Sequence, residues 1–424
     1  MHFFIRLKNT SVFLLVPLGS LLSQPSVDSV LEGISFQQAF QRAVINDPRL
    51  ELNRIIVEAA EGQIEQANSR PNPVIGAEAE NFLGTGPLRG TQGLEVTIGI
   101  SQVIETANKR ERRVELARAD RILIDWDREL ILAEIESSVR TAFVDVLLAQ
   151  EFLNLRREQL DLAQRSVDET ASMVEAARSS HVELMRARLD VHQQRFAIQQ
   201  AERALVKLKS VLAGYWGDSG HESFAVVGQV TVESGVPEFS ELAGRLAYTA
   251  NLARYSAEEN AREMSLEMEQ ARANPDLEVF AGGRYFNETD GDVGFVAGIS
   301  MPWPLSDRNQ GNIRIARARL RAVFQEREVT RRSMTMALNR SYQEAVGARA
   351  EVMSIETNLL PAAEATLRDT EHGYERGQFN QLVVLESRNV LFEVREAYLN
   401  ALQRYALAQA EIEALTRPAT IIRK

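Results

Sequence analysis

Between Thr106 and Ala176 the chain has neither proline nor glycine. Apolar residues recur there at helical spacing, among them Ile135, Val139, Phe143, Val146 and Leu147. At 1.5 Å per residue such a helix would be about 100 Å long, several times the width of a small domain. Helical patterning this far beyond 25 residues points to a coiled coil or a helical array. A return helix over about Val182 to Leu212 and an opening helix over Phe36 to about Ser69 are each near half that length. Stacked end to end, two half rods match one full rod. In an exported protein, rods of this size serve to span a distance.

The pattern is written twice, with a period of roughly 200 residues, too long for a solenoid and implying a duplicated unit. Gln66 to Pro73 resembles Gln270 to Pro275. Ile98-Gly99-Ile100-Ser101 resembles Ala297-Gly298-Ile299-Ser300, Val114 to Ala119 resembles Ile313 to Ala318, and Ala177 to Leu184 resembles Gly377 to Val384. The second copy has an opening helix from Phe239 to about Arg272. Its long rod runs from about Asn312 to Glu371, with a local kink expected at Pro361. Its return rod carries Leu382, Leu385, Leu391, Val394, Tyr398, Leu402, Tyr405, Ala408 and Ile412. In each copy an Asn-Pro ends the opening helix, because proline lacks an N–H and disfavours helix just before it. The expected organisation is a leader over 1–23, a first repeat over 24–235 with a hairpin at 74–103, and a second repeat over 236–424 with a hairpin at 276–302.

The leader reads as a secretory signal: Arg6 and Lys8, the apolar run Val12 to Val16, then Gly19, Ser20 and Ser23. The apolar run is too short to span a bilayer. A frayed N-terminal helix is the alternative. Removing the leader would take the formal charge from −11 to −13, which disfavours a nucleic-acid partner held through phosphates. With no cysteine, disulfides, thiol catalysis, Cys-ligated zinc and a lipid anchor on an N-terminal cysteine are all excluded.

Each hairpin alternates with period two. Leu94, Val96, Ile98 and Ile100 oppose Glu95, Thr97, Gly99 and Ser101. Ile75, Ala77 and Ala79 oppose Glu78 and Glu80. Leu277, Val279, Ala281 and Tyr285 oppose Glu278, Gly282 and Arg284, with Phe280 out of pattern. Val293, Phe295, Ala297, Ile299 and Met301 oppose Gly294, Gly298 and Ser300. Runs of about ten residues suit tilted strands crossing a bilayer, with polar residues facing a water-filled lumen. Soluble hairpins packed apolar side inward would show the same alternation. Four strands cannot close a useful barrel, and open edges are forbidden in lipid, so lipid-facing strands would require several chains to pool their hairpins. The polar turns Leu83 to Gly90 and Asn287 to Asp292 would then lie outside the cell.

These residues resemble the TolC-type outer-membrane efflux channels. The resemblance is carried by Ile34 to Phe40 with Asn46-Asp47-Pro48-Arg49-Leu50, and by Tyr374-Glu375-Arg376-Gly377 with Leu385-Glu386-Ser387-Arg388. Pro71-Asn72-Pro73, Ser101 to Thr106 with Lys109, Arg110 and Arg113, and Ile299 to Asn312 are similar to the CzcC-like, heavy-metal cation subgroup. The resemblance covers essentially the whole mature chain. It implies a mainly α fold in which long antiparallel coiled-coil helices form a trimeric α-barrel tunnel, joined to a shared twelve-stranded transmembrane β-barrel with four strands per chain. It implies a homotrimer in outer-membrane lipid, partnered by a periplasmic adaptor and an inner-membrane transporter of the resistance-nodulation-division class. The first tip has Ala177 where the second has Gly377, so tight turning there is less assured.

No catalytic or metal constellation emerges, and no cofactor is expected. His2, His181, His192, His221 and His372 form no ligand pair, and His181 and His372 read as exposed loop histidines near the tips. The candidate sites are geometric. Asp369, Glu371 and Glu375, with Asp168, Glu169 and Glu175 at the other tip, would form acidic rings that draw cations if copies surround an axis; ordinary helix-surface acids are the alternative. Ala176, Ala177, Arg178, Ser179, Tyr374, Gly377, Gln378 and Phe379 are the candidate adaptor-docking tips, Tyr374 and Phe379 supplying exposed apolar area. Glu78, Glu80, Glu95 and Arg284 are the candidate lumen residues. The leading reading is a passive metal-export conduit. The alternatives are a channel for drugs or secreted polypeptides and, in another class, a soluble periplasmic coiled-coil adaptor or scaffold.

Overall fold

The computed structural model describes residues 33–218, 224–230, 232, 235–289 and 291–423. The expected leader, His2 and His221 lie outside the described residues. Strand β1 (Gly33–Ile34) leads into α1 (Phe36–Asn46) and α2 (Pro48–Asn68). Then come β2 (Val74–Glu80), β3 (Glu95–Ile104), the rod α3 (Lys109–Glu175), the return helix α4 (His181–Gly214) and β4 (Ala225–Val226). The second copy follows the same plan, with α5 (Phe239–Arg245), α6 (Ala250–Arg272), β5 (Leu277–Phe286) and β6 (Asp292–Ser300). Its rod has two parts, α7 (Gln310–Ser354) and α8 (Leu360–Glu375), before the return helix α9 (Gln381–Thr416).

Both opening helices were expected to be continuous, and both are broken. Pro48 forces Asp47 out of helical geometry, and the Asp47 carboxylate then accepts from the Arg49 N–H, capping α2. In the second copy no proline intervenes. Thr249 is extended because it bridges to Pro418 of the C-terminal segment, a tertiary contact invisible in local sequence. The kink expected at Pro361 takes the form of a π-helical turn over Ile355–Leu359, which joins α7 to α8 without ending the rod.

Both rods begin alike, at Asn108 and Asn309 with φ of 56° and 57°, the left-handed conformation that asparagine tolerates best after glycine. The stripe expected on α3 is the observed core: Ile135, Val139, Phe143, Val146 and Leu147 are buried, with Leu212 and Trp216 packed against them. Leu338, Ala345, Val352, Leu402 and Tyr405 form the matching core of the second copy. Of the expected α9 stripe, Leu382 beside the tip is exposed. At the waist, β1 pairs in parallel with β4, and the Gln150 amide bonds both the N–H and the C=O of Val226 at 3.0 Å.

The hairpins join into one antiparallel sheet in the order β2-β3-β5-β6. Register places Ile75 opposite Ile100, Ala77 opposite Ile98, Ala281 opposite Ala297 and Tyr285 opposite Val293, all on one face. That face is uncovered: Ile75 is 79% exposed, Ile299 73%, and Phe295 fully so. Hairpins packed on a helical layer would hide these side chains. They project outward instead, and the helices continue from one end of the sheet. Phe280, the residue out of pattern, lies on the polar face over Gly99, where an added Cβ would come within 2.5 Å of its ring. Glycine at 99 therefore makes room for the aromatic ring.

The copies are tied where sheet meets rods. The buried Lys109 ammonium donates to Asp276 at 2.7 Å, the Thr106 N–H reaches the same carboxylate, and the Thr106 hydroxyl donates to the Pro275 carbonyl. Lower on the seam between α3 and α6, Glu258 accepts from Arg262 and Arg254. Burial raises its carboxyl pKa, but the two guanidinium hydrogen bonds outweigh that and hold it below the usual value. A lowered pKa means the stabilisation is present above the ordinary value of 4.5 and lost as pH falls through the lowered one. Glu258→Gln should therefore lower the melting temperature in detergent at pH 7, by an amount that shrinks as the pH is taken progressively below 4.5. Phe295→Arg places a charge on the exposed apolar face; if that face meets lipid, the cost is about 2–4 kcal/mol per chain. The amount of folded protein recovered from membranes should fall while Thr85→Arg in the turn leaves it unchanged.

Candidate functional site: the helical tips and the polar face of the sheet

At the end of the rods remote from the sheet, the two tips turn identically. The Arg178 N–H reaches the Met173 carbonyl and the Ala177 N–H reaches Val174. Gln378 reaches Gly373 and Gly377 reaches Tyr374 in the same way. This is the helix-ending motif with one left-handed residue. That residue is Gly377 at φ 74° and, in the first copy, Ala177 at φ 55°. The expectation that alanine leaves the first turn less tight is overturned: Ala177 adopts the strained conformation. Ser180 with Glu183, and Asn380, cap the return helices.

The tips latch to each other. The Tyr374 hydroxyl donates to Met173 Sδ at 2.8 Å, and the Gln381 amide meets Thr170 Oγ1. Tyr374 is thus half-buried and engaged, not the free apolar surface the sequence suggests. Burial raises its phenol pKa, with Glu169 and Glu183 adding to the rise. Phe379 is exposed on one side, but its ring lies over Gly373, where an added Cβ would meet it at 2.3 Å. Ala176, Ala177, Arg178, Gly377 and Gln378 are exposed at the apex, and Ser179 is half-buried.

The six tip acids divide. Asp168, Glu169, Glu175, Asp369 and Glu375 are exposed. Glu371 is half-buried and accepts from Arg388 of α9 at 2.9 Å, so its charge is already matched. Glu375 lies 3.5 Å from His372. The remaining four form no ion pair among the described residues. Arg388 had no role assigned from sequence, since its partner lies across a turn that only tertiary structure closes.

On the polar face of the sheet, Arg284 lies between Glu95 at 2.9 Å and Glu80 at 3.1 Å and donates to Thr97 Oγ1 at 2.8 Å. Register brings these together from three strands, with Glu78 opposite Thr97 on the same face. Three of the four lumen candidates are thus one cluster, and Thr97 is a member that sequence reasoning passed over. Among the described residues no three His, Asp or Glu side chains converge as a metal site, and no helix is long and apolar enough to cross a membrane.

Long paired rods, tight tips and a sheet with its apolar side outward define the architecture of an outer-membrane export channel. The family model described as outer membrane efflux protein matches residues 39–218 and 246–416, and the chain belongs to that family. It is placed in the outer membrane and extends into the periplasm. Its relatives include the cobalt-zinc-cadmium resistance protein CzcC of Cupriavidus metallidurans, 28% identical over 83% of this chain and 82% of that protein. The nickel-cobalt-cadmium resistance protein NccC of Alcaligenes xylosoxydans xylosoxydans is 27% identical over 71% of this chain and 70% of its own. The fold matches the solved structure of CusC with a TM-score of 0.71 at 16% identity, covering 94% of this chain and 95% of that one. It also matches VceC of Vibrio cholerae with a TM-score of 0.70 at 14% identity, covering 91% and 96%.

The left-handed positions give a direct test. Ala177→Gly should stabilise the first tip and Gly377→Ala should weaken the second, each by about 1 kcal/mol. Hydrogen exchange of the tip amides at 177–178 and 377–378 should slow in the first variant and quicken in the second.

Proposed function

We propose that three copies of this chain form the outer-membrane conduit of a tripartite exporter of heavy-metal cations. The observation that carries this reading is the sheet's uncovered apolar face bounded by two unpaired edges, β2 and β6. Unpaired backbone groups are not tolerated in lipid, so β6 of one copy must pair with β2 of the next. Four strands per chain then give twelve around the ring. The names of CzcC and NccC favour divalent metal cations as cargo. The conduit makes and breaks no covalent bond; an inner-membrane transporter of the resistance-nodulation-division class supplies the energy, and a periplasmic adaptor docks on the tips.

Around a threefold axis, Asp168, Glu169, Glu175 and Asp369 become rings of uncompensated negative charge at the inner end, and Glu375 adds to them less because His372 lies beside it. Glu371 contributes little because Arg388 neutralises it. Asp369→Asn should therefore reduce cation preference in planar-bilayer recordings, shifting the reversal potential toward zero in a salt gradient, while Glu371→Gln shifts it less. Unchanged potentials in Asp369→Asn, Asp168→Asn and Glu175→Gln together would sink the selectivity claim. Gly377→Ala with Phe379→Ala should abolish cobalt and zinc tolerance in a strain lacking the native gene, yet leave the assembled trimer in the membrane. Retained tolerance would move the docking site off the tips.

A further inference from the structure

Beneath the sheet the helices follow the order of the strands: α2 packs on α3, α3 on α6 and α6 on α7. The outer flanks of α2 and α7 are thus left open directly under the open strands β2 and β6. Each flank carries a stripe of one charge. On α7, Arg314, Arg317 and Arg321 stand at i, i+3 and i+7 and line one groove. From Arg308 to Gln325 there are five arginines and no acid. On α2, Glu58, Glu61 and Glu65 stand at the same spacing. All six are exposed, and none forms an ion pair among the described residues; Arg54 beside Glu58 is already paired with Glu51.

The stripes point the right way. At about 100° per residue, the arginines lie roughly 100–160° round α7 from Asn309 and Ala316, the side turned to α6. The glutamates lie about as far round α2 from Asn53 and Ala60, the side turned to α3. One helix climbs toward the sheet and the other descends from it, so viewed from the sheet the two rotations carry both stripes to the same side of the seam. The level also agrees. Inside the chain, Arg112 pairs with Glu267 across the α3–α6 seam. Counting equally from the matching starts of each rod, Asn108 and Asn309, and of each opening helix, Thr249 and Asp47, the equivalent level in the open seam is 313 against Glu65.

We propose that Arg314, Arg317 and Arg321 of one copy pair with Glu65, Glu61 and Glu58 of the next, an antiparallel ion ladder that closes the helical ring and sets its register. The exposed Ile55 and Val329, on the other side of the same flanks, are covered in the same step. This rests on the three-copy reading above.

The chain has no cysteine, so introduced thiols have no background. The double variant Glu61→Cys/Arg317→Cys, treated in membranes with a short bismaleimide, should give covalent dimers and trimers on a denaturing gel. Neither single variant should. Reversing either stripe alone, with Glu58, Glu61 and Glu65 all to Arg or Arg314, Arg317 and Arg321 all to Glu, should reduce the trimer at least tenfold in native mass measurements. Reversing both in one chain should restore it to within twofold. A wild-type trimer with no cross-link in the double variant, and with both reversals still trimeric, would overturn the ladder and leave the channel reading intact. A wild type that stays monomeric in membranes and in detergent would overturn the three-copy reading itself.

Discussion

The structure depends on one constraint: in lipid, every backbone N–H and C=O must find a partner within protein. Two hairpins satisfy it only in part. Pairing β3 with β5 unites the copies into one sheet and removes two of four edges, leaving β2 and β6. The rest of the chain is arranged around that incomplete sheet. The opening helices and rods continue the strand order downward, and the polar collar of Lys109, Thr106 and Asp276 fixes the turn from strand to rod. Duplication is the economical route to such an object, since one unit supplies both sides of every seam but the last.

Electrostatics divide into structural and available charge. Glu371 and Asp276 are matched one to one by Arg388 and Lys109, whereas Arg284 is shared between Glu95 and Glu80 and leaves that cluster one negative charge in excess. Matched pairs orient their elements but present little net field to a passing ion. The unmatched acids at the tips remain free to act at a distance, and their effect should weaken with salt as any exposed field does. Sorting charges by partner separates the residues expected to act on cargo from those that hold the wall together.

Much of this was legible in the sequence because its signals are periodic. The rods, the hairpins and the α3 core at Ile135, Val139 and Phe143 follow from spacings of 3.6 and 2. What escaped depended on residues far apart in the chain. The break at Thr249 needs Pro418, the pairing of the Glu371 carboxylate needs Arg388, and the engagement of Tyr374 needs Met173. The break at Asp47 was readable, since Pro48 follows it, but the long apolar stripe obscured it. Ala177 misled for another reason: helix-end hydrogen bonding overcame an intrinsic preference worth about 1 kcal/mol.

The π turn at 355–359 has a consequence for the second rod. Met334, Ser341, Ala348 and Ile355 are buried at intervals of seven, but the next buried positions are Ala363 and Thr370, one residue later than that rhythm demands. The wider turn takes up the surplus residue, so the seam side keeps its azimuth on both sides of the proline. Without it, everything below would be rotated by about 100°, and the Tyr374 hydroxyl would swing away from the Met173 sulfur to which it now donates. A local irregularity in one helix therefore keeps the two hairpins in phase at their far ends.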